Sequence, residues 1–328
     1  MGLRDSRLCA QLGIGKPIVL APMVAYADGA LAAAVSEAGG LGTFGAWSVL
    51  HVDERFVREQ LADLRSRTAR PFGVGFATHH IPACRDTFDA VLDAQVPAIL
   101  FSFDDPTPWI PLVHSTGAKA LCQVQSFVAA QQAVDAGADV LCVQGNEAGG
   151  HTGTARLLPL LRQVTEAYPH VVTVAAGGIT DGASLAAVIS AGADGAWLGT
   201  AFLAAREASY QQPALAEAII ESDGTDTIFS FAPDVVLSAL QGGPAWPTGI
   251  GLRLRCNEIT DEWQGREAEL AGDQDAVAAY ARRLTEGDER VVPYLYGQGA
   301  GAISSVRSAR EIIDTLLIDA ERRLMTMD

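Results

Sequence analysis

Residues 140–153, VLCVQGNEAGGHTG, form an apolar run that ends in a loop of small residues and a histidine. Two later runs have the same form, VVTVAAGGI at 171–179 and GAWLGT at 195–200. Each predicts a strand whose carboxyl end opens into a glycine-containing loop before a helix. In a (β/α)8 barrel such loops share one face, and those after strands 7 and 8 bind phosphate. Residues 140–200 therefore predict a phosphate-bearing ligand with a histidine beside it.

Short apolar runs alternate with alanine-rich stretches over the first two hundred residues. The runs typical of strands are 18–22, 41–45, 72–76, 98–102, 119–124, 140–144, 171–176 and 195–199. The stretches typical of helices are 30–38, 54–66, 87–94, 128–136, 157–168 and 184–191. This alternation indicates parallel βαβ units, and eight is the strand number of a TIM barrel. We therefore expect an α/β fold in which residues 1–205 and 300–328 form a (β/α)8 barrel.

The alternation stops after Gly199-Thr200. Residues 206–299 contain helical stretches at 212–220, 233–240 and 261–284, separated by breakers such as Gly242-Gly243-Pro244. Residues 304–325 carry apolar side chains at helical spacing, as expected of the last barrel helix. We therefore expect residues 206–299 to be a smaller, mostly helical second domain, inserted after strand 8. That position lies on the catalytic face, where the insertion can act as a lid.

Composition restricts the partners and the compartment. Of the 328 residues 49% are hydrophobic, and the net charge of −16 argues against nucleic acid as a partner. The five cysteines have no metal-binding spacing and predict reduced thiols inside the cell. No signal peptide or membrane-length apolar run is visible, so the sequence predicts a cytoplasmic protein without a membrane partner. With only two lysines, Lys16 and Lys119, Schiff-base chemistry is improbable.

Four residues after the last two strands predict the phosphate site: Gly177, Gly178, Gly199 and Thr200. Small residues let backbone N–H groups approach an anion, and the dipole of a following helix adds to the attraction. Tight turns in any barrel also need glycine, which is the structural alternative. Two such loops in adjacent positions, one of them ending in Gly-Thr, favour phosphate binding.

His151 follows a strand within a Gly-Gly turn, so we expect it to point into the barrel mouth. A neutral imidazole there can accept a proton from carbon or hydrogen-bond an anion. A solvated loop histidine is the alternative, and the neighbouring phosphate loops favour the functional interpretation. His79 and His80 also follow a strand but have no ligand partners at suitable spacing, so we expect a solvated loop there and no metal site.

Three other residues at strand ends suit a flat ring with a polar edge. Met23 is a soft apolar platform, with core packing as its alternative role. Gln123 and Gln144 carry amides that both donate and accept hydrogen bonds, with exposure on the surface as the alternative.

These motifs together resemble the nitronate monooxygenase family, formerly called 2-nitropropane dioxygenases. The resemblance spans most of the chain and is weaker across residues 206–290. The most specific segment is QGNEAGGHTG at 144–153. The other matching segments are 17–23 (PIVLAPM), 38–42 (AGGLG), 71–75 (PFGVG), 176–179 (AGGI), 198–202 (LGTAF) and 297–299.

The resemblance implies a barrel that binds FMN, with His151 as the catalytic base. Family members often carry Asn where Gly75 stands, and some carry Lys where Gln123 stands, which bears on substrate handling and on the charge near the flavin. By position, the residues implied to contact FMN are Pro22, Met23, Gly75, Gln123, Gln144, Gly149, Gly177, Gly178, Trp197, Leu198, Gly199 and Thr200.

The implied activity is oxidation of alkyl nitronates or nitroalkanes by O2 to a carbonyl compound and nitrite. A second possibility is an enoyl-acyl-carrier-protein reductase that uses FMN and NADH, because such enzymes share the EAGGH loop. A third is a flavin-free isomerase or aldolase of phosphate sugars on the same barrel. A homodimer is a further expectation.

Overall fold

The computed structural model describes residues 2–24, 26–47, 53–208 and 213–326. The strands in this part of the chain are β1 (Ile18–Leu20), β2 (Gly42–Gly45), β3 (Phe72–Ala77), β4 (Ala98–Ser102), β5 (Lys119–Val124), β6 (Val140–Gln144), β7 (Gly150–Thr152), β8 (Val172–Ala176), β9 (Gly195–Leu198), β10 (Thr227–Ser230) and β11 (Gly251–Arg255).

The α-helices of the described residues alternate with the first strands and then follow one another. They are α1 (Arg7–Leu12), α2 (Gly29–Glu37), α3 (Glu54–Arg67), α4 (Arg85–Asp93), α5 (Ile110–Ser115), α6 (Phe127–Asp135), α7 (Leu157–Ala167), α8 (Gly182–Ser190), α9 (Thr200–Leu203), α10 (Pro213–Glu221), α11 (Ala232–Gln241), α12 (Glu258–Trp263), α13 (Glu267–Gly272), α14 (Gln274–Thr285) and α15 (Ala309–Met325).

Eight parallel strands form a TIM barrel, which confirms the fold predicted from the sequence. They pair in the order β1-β9-β8-β6-β5-β4-β3-β2. A parallel bridge between Val19 and Leu41 joins the two ends of the sheet, where the Leu20 N–H donates to the Leu41 carbonyl at 2.9 Å. Because all eight strands run the same way, their carboxyl ends and the loops that follow them lie on one face of the barrel.

Apolar side chains fill the barrel and cover its amino-terminal end. Val19, Leu121 and Val174 belong to an interior cluster that also contains Leu8 and Leu12 of α1. A larger cluster packs the outer faces of the strands against the surrounding helices. The barrel interior is therefore a packed core, and a ligand must bind at the carboxyl face.

Helix α15 packs against α8 and α2, the place of the eighth barrel helix, as the sequence predicts. Its amino terminus has a capping box in which Ser308 and Glu311 bond each other's backbone N–H groups. Lys16, which follows α1, pairs with Asp314 of this helix at 2.5 Å. Helix α15 is thus part of the barrel, although residues 206–299 separate it in sequence from the last barrel strand.

Residues 206–299 contain the predicted helices and also two strands that the sequence did not predict. Strands β10 and β11 form an antiparallel sheet, and β11 also pairs with β7, next to the barrel. The helical stretch expected over 261–284 is divided into parts of α12, α13 and α14. Helices α11, α12 and α14 share a buried cluster that includes Val236, Trp263 and Tyr280. The separation of these residues as a second domain stays a prediction.

None of the described helices is long and apolar enough to cross a membrane.

Candidate active site

A cleft opens at the carboxyl ends of the barrel strands. It consists of two adjoining cavities whose open space measures about 550 and 680 Å³, with the solvent at their mouths included. Both cavities are lined by Met23 after β1, Gln123 of β5, Gln144 of β6 and Trp197 of β9. Residues from four different strands therefore converge on one space.

Glycine loops form the floor at one end of the cleft. Gly177 and Gly178 have φ values of 108° and 68°, a conformation that side-chain-bearing residues rarely adopt. Gly199 lies so near Met23 that an added Cβ would stand 3.3 Å from the Met23 sulfur. The backbone of these loops is thus accessible from the cleft, and Asp181 caps helix α8 directly behind them.

The segment at 297–299 closes the same end from above. The Gly297 N–H donates to the Thr200 hydroxyl at 3.0 Å, and the Thr180 hydroxyl donates to the Gly299 carbonyl at 2.6 Å. These bonds fix the two glycine loops relative to each other.

Two polar groups are oriented toward a ligand in the cleft. The indole Nε1 of Trp197 is buried and has no hydrogen-bond partner among the described residues. Gln125 Nε2 donates to the side-chain oxygens of both Gln144 and Gln123, at 2.9 and 3.2 Å. Since the oxygen of Gln123 is engaged, its amide nitrogen is the group left to donate. Buried donors normally have partners, so the buried Trp197 Nε1 points to an acceptor on a bound molecule, and the half-buried Gln123 amide can donate beside it.

His151 stands at the other end of the cleft, on β7, where it pairs with Leu252 of β11. Its Nε2 lies 2.9 Å from Asp234 Oδ1, with both side chains mostly buried. The indole of Trp246 stacks on the imidazole with a centroid separation of 3.4 Å and an interplanar angle of 18°. Asp234 and Trp246, both from the 206–299 segment, thus hold the ring in one orientation.

The loop that carries His151 is held in place from both sides. Glu147 accepts the backbone N–H of Leu157 at 3.2 Å and so caps α7. Arg253, only 4% exposed, donates to the backbone and side-chain oxygens of Asn146 at 2.5 and 2.7 Å. A buried guanidinium with this many partners fixes the loop firmly, since its donors cannot be satisfied elsewhere.

The solvated loop expected at His79 and His80 is wrong. Both residues lie in a 3₁₀ helix after β3; His80 is 2% exposed, and both rings contact Trp246. Burial and the neighbouring His80 lower the pKa of His79 to about 4. The two histidines are therefore part of the wall behind Trp246. No cluster of metal-binding side chains occurs within the described ranges.

The structure brings together all but one of the residues that the sequence predicts at the site. Gly75 is the exception: an added Cβ would stand 2.3 Å from Pro22 Cβ, so Gly75 lies behind Pro22 and does not line either cavity. The predicted residues that line the cleft are Pro22, Met23, Gln123, Gln144, Gly149, His151, Gly177, Gly178, Trp197, Leu198, Gly199 and Thr200.

The side chains that contact His151 were not predicted from the sequence. Asp234 is separated from it by 83 residues, and the aromatic side chains Trp47, Phe103 and Trp246 also line the cleft. The local signal for Asp234 is weak, because an acidic residue in the first turn of a helix is common for capping alone.

Comparison with known proteins places the chain in a family. The family model for nitronate monooxygenase matches residues 5–89 and 79–319. A nitronate monooxygenase from Neurospora crassa is 29% identical, with 94% of this chain and 89% of that protein covered. A Mycobacterium tuberculosis relative, (3aS,4S,5R,7aS)-5-hydroxy-7a-methyl-1-oxo-octahydro-1H-indene-4-carboxyl-CoA dehydrogenase, is 27% identical, with 96% of each chain covered.

Two solved structures share the whole fold. FabK from Thermotoga maritima superposes with a TM-score of 0.85 at 28% identity, over 98% of each chain. A nitroalkane oxidase from Streptomyces ansochromogenes gives a TM-score of 0.78 at 27% identity, over 97% of this chain and all of that one. These relatives indicate an oxidoreductase. Since the family model covers nearly the whole barrel and the segment above it, the chain belongs to the nitronate monooxygenase family.

Proposed function

We propose that this protein is an FMN-dependent enzyme that oxidises alkyl nitronates and nitroalkanes with O2. The observation that carries the proposal is the position of His151: it is oriented by Asp234 and lines the same cleft as the glycine loops. A base fixed beside a ligand cleft is the arrangement that proton removal from carbon needs.

The cleft fits FMN in three respects. Gly178, Gly199 and Thr200 would hold the phosphate through backbone N–H groups, because no side chain fills that end. Trp197 Nε1 and the Gln123 amide would donate to the polar edge of the ring, and Met23 would support its face. When bound, FMN would supply the redox chemistry, accepting electrons from the substrate and passing them to O2.

Asp234 determines which nitrogen of His151 acts. A carboxylate only accepts hydrogen bonds, so the hydrogen of the neutral imidazole resides on Nε2. In the described part of the chain nothing bonds Nδ1, which is therefore the atom that takes the proton from the carbon bearing the nitro group. A nitronate supplied as the anion needs no proton removed and bypasses this step.

The overall reaction balances without a further reductant. Two nitronate anions and one O2 give two carbonyl compounds and two nitrite ions, so that each carbon–nitrogen bond is replaced by a carbonyl oxygen from dioxygen. The chain's own contribution is to bind and orient the substrate. Trp246 and the rest of residues 206–299 would act as a lid that limits the access of water.

A second candidate is reduction of an enoyl thioester with NADH, favoured by the Mycobacterium tuberculosis relative, whose name indicates a CoA thioester. Both CoA and NADH carry phosphates that proteins commonly bind through Arg or Lys. No described residue that lines the cleft is Arg or Lys. We therefore favour the nitronate reaction.

Oxygen uptake by the purified FMN-loaded protein tests this choice. We expect ethyl nitronate and nitroethane to support O2 consumption with matching release of nitrite, and crotonyl-CoA to support little NADH oxidation. Rapid oxidation of NADH that depends on the enoyl thioester, without nitrite from either nitro compound, would contradict the proposal and support the reductase.

A further inference from the structure

A further cavity, which we call the second chamber, adjoins the cleft on the side of residues 206–299. It has a volume of about 820 Å³. Val24, Tyr26, Trp47, His151, Trp246 and Leu295 line both this chamber and the cleft. A substrate whose reacting carbon lies at His151 therefore has a space into which a substituent can extend.

The walls of the second chamber are mainly apolar. Leu237 of α11, the buried Leu252 of β11, Pro244 and Pro293 contribute aliphatic surface. The one charged side chain among the described lining residues is Asp234, which already bonds His151. No lysine or arginine occurs in that lining, and the parts of the chain outside the described ranges contain neither residue.

We propose that the second chamber binds an uncharged, apolar substituent of the substrate, so that the enzyme prefers alkyl nitronates, whose only charge is on the nitronate group, to nitronates that also carry a carboxylate. This inference rests on the proposed function and specifies its substrate class. The polar side chains of the described lining, among them His80, Ser238 and Gln241, include no lysine or arginine. A carboxylate in the chamber would therefore lose water without gaining a permanently cationic partner and would face Asp234, which is unfavourable. A hydrocarbon chain would instead gain from leaving water.

An isosteric pair of substrates tests the charge preference. Propionate 3-nitronate carries a carboxylate where 3-methylbutyl 1-nitronate carries an isopropyl group of similar shape. We expect kcat/KM to be at least about tenfold higher for the compound with the isopropyl group, and to rise roughly threefold or more for each methylene added from ethyl to hexyl nitronate. Equal or higher kcat/KM for the carboxylate would overturn the inference.

A filled chamber should lose the chain-length preference. Leu237→Trp places a larger ring in the chamber, at a position that does not itself line the cleft. We expect this variant to oxidise ethyl nitronate like the wild type and to lose most of the gain with hexyl nitronate, through a higher KM. Leu240→Trp is the matched control, since Leu240 is on the same helix, 43% exposed, and does not line the chamber. An unchanged chain-length series in Leu237→Trp would contradict the assignment.

Calorimetric titration of the FMN-loaded protein separates this inference from the proposed function, because it needs no turnover. We expect 1-hexanol to bind more tightly than hexanoate, and Leu237→Trp to weaken hexanol binding while Leu240→Trp leaves it unchanged. If hexanol binds in this way but the enzyme oxidises no nitronate, the apolar chamber is supported and the proposed reaction is rejected. Tighter binding of hexanoate, or no effect of Leu237→Trp, would reject the chamber.

Discussion

His151 is held on three sides, by its strand, by Asp234 and by Trp246, and only Nδ1 is left for a substrate. The His151 imidazole is therefore already fixed in orientation before a substrate binds. This preorganisation favours proton transfer in one defined geometry. Asp234 and Trp246 both come from residues 206–299, so His151 and the side chains that orient it belong to different parts of the sequence.

Replacing the base should separate two substrate forms. We expect His151→Asn to lower kcat/KM for nitroethane by about 10²- to 10⁴-fold, because proton removal is lost. The same variant should keep a substantial part of its activity with ethyl nitronate, which needs no deprotonation. Nitrite release measures both reactions, and His170→Asn is the control, since His170 is exposed. Equal losses with both substrates would show that His151 does not act as the base.

Asp234 acts through His151 and is therefore a positioning residue. We expect Asp234→Ala to reduce kcat/KM for nitroethane by roughly 10- to 100-fold and to affect ethyl nitronate less. Asp234→Asn should restore part of the activity, because an amide oxygen can still accept from Nε2. If Asp234 had a purely structural role, kcat/KM would fall equally with both substrates, and Asp234→Ala and Asp234→Asn would have the same activity.

His79 makes stability depend on pH. Its folded-state pKa of about 4 lies below the ordinary value of 6.5, so the unfolded chain takes up a proton that the folded chain does not. The free energy of unfolding should therefore fall as the pH decreases from about 6.5 to about 4. Between these pH values, we expect the free energy of unfolding to fall by about 1 kcal/mol less in His79→Asn than in the wild type, after allowance for solvent screening. Urea denaturation measures this, and identical pH dependence in both proteins would contradict it.

The sequence predicts individual residues well where a strand end places them. Met23, Gln123 and Gln144 follow from the strand pattern alone, because the carboxyl ends of parallel strands meet on one face. Asp234 and Trp246 do not follow from it, because their positions depend on the path of residues 206–299. Gly75, which only the family resemblance implied, lies within β3, and the neighbouring Pro22 separates it from the cleft.

At the scale of elements, the loop after β8 should determine cofactor binding. Gly178 has φ 68° and faces the cleft, so Gly178→Val would both strain the loop and obstruct the backbone N–H groups. We expect the purified variant to retain little FMN after gel filtration, as measured by flavin absorbance per chain.

Gly287→Val is the matched control, because Gly287 also has a positive φ, of 76°, but has open space around it and does not line the cleft. Both variants bear the same backbone strain, and only the first alters the cleft. Wild-type flavin content in Gly178→Val, or equal loss in both variants, would contradict the phosphate assignment.

The barrel elements were predictable and the small sheet above them was not. Each barrel strand is a short apolar run between helical stretches, a pattern that a local reading detects. Strands β7, β10 and β11 are only three to five residues long, and β7 pairs with β11 across about a hundred residues. Their formation depends on tertiary contacts, so no local pattern indicates them.

At the scale of the whole molecule, Arg253 connects residues 206–299 to the loop that carries His151. Arg253→Met removes the donors to Asn146 and leaves its buried backbone oxygen without a partner. We expect a loss of about 1–3 kcal/mol in the free energy of unfolding, together with reduced nitronate turnover. Arg255→Met, on the same strand but exposed, is the control. Unchanged stability and turnover in Arg253→Met would show that the connection is unimportant.

We propose that a nitronate bound beside His151 delivers its electrons to FMN in this cleft. Rapid anaerobic mixing of the FMN-loaded protein with ethyl nitronate tests this electron transfer. We expect the visible absorbance of the flavin to bleach with nitronate, and to return on admission of O2 together with release of nitrite. A flavin that stays oxidised with nitronate but bleaches rapidly with NADH would contradict it.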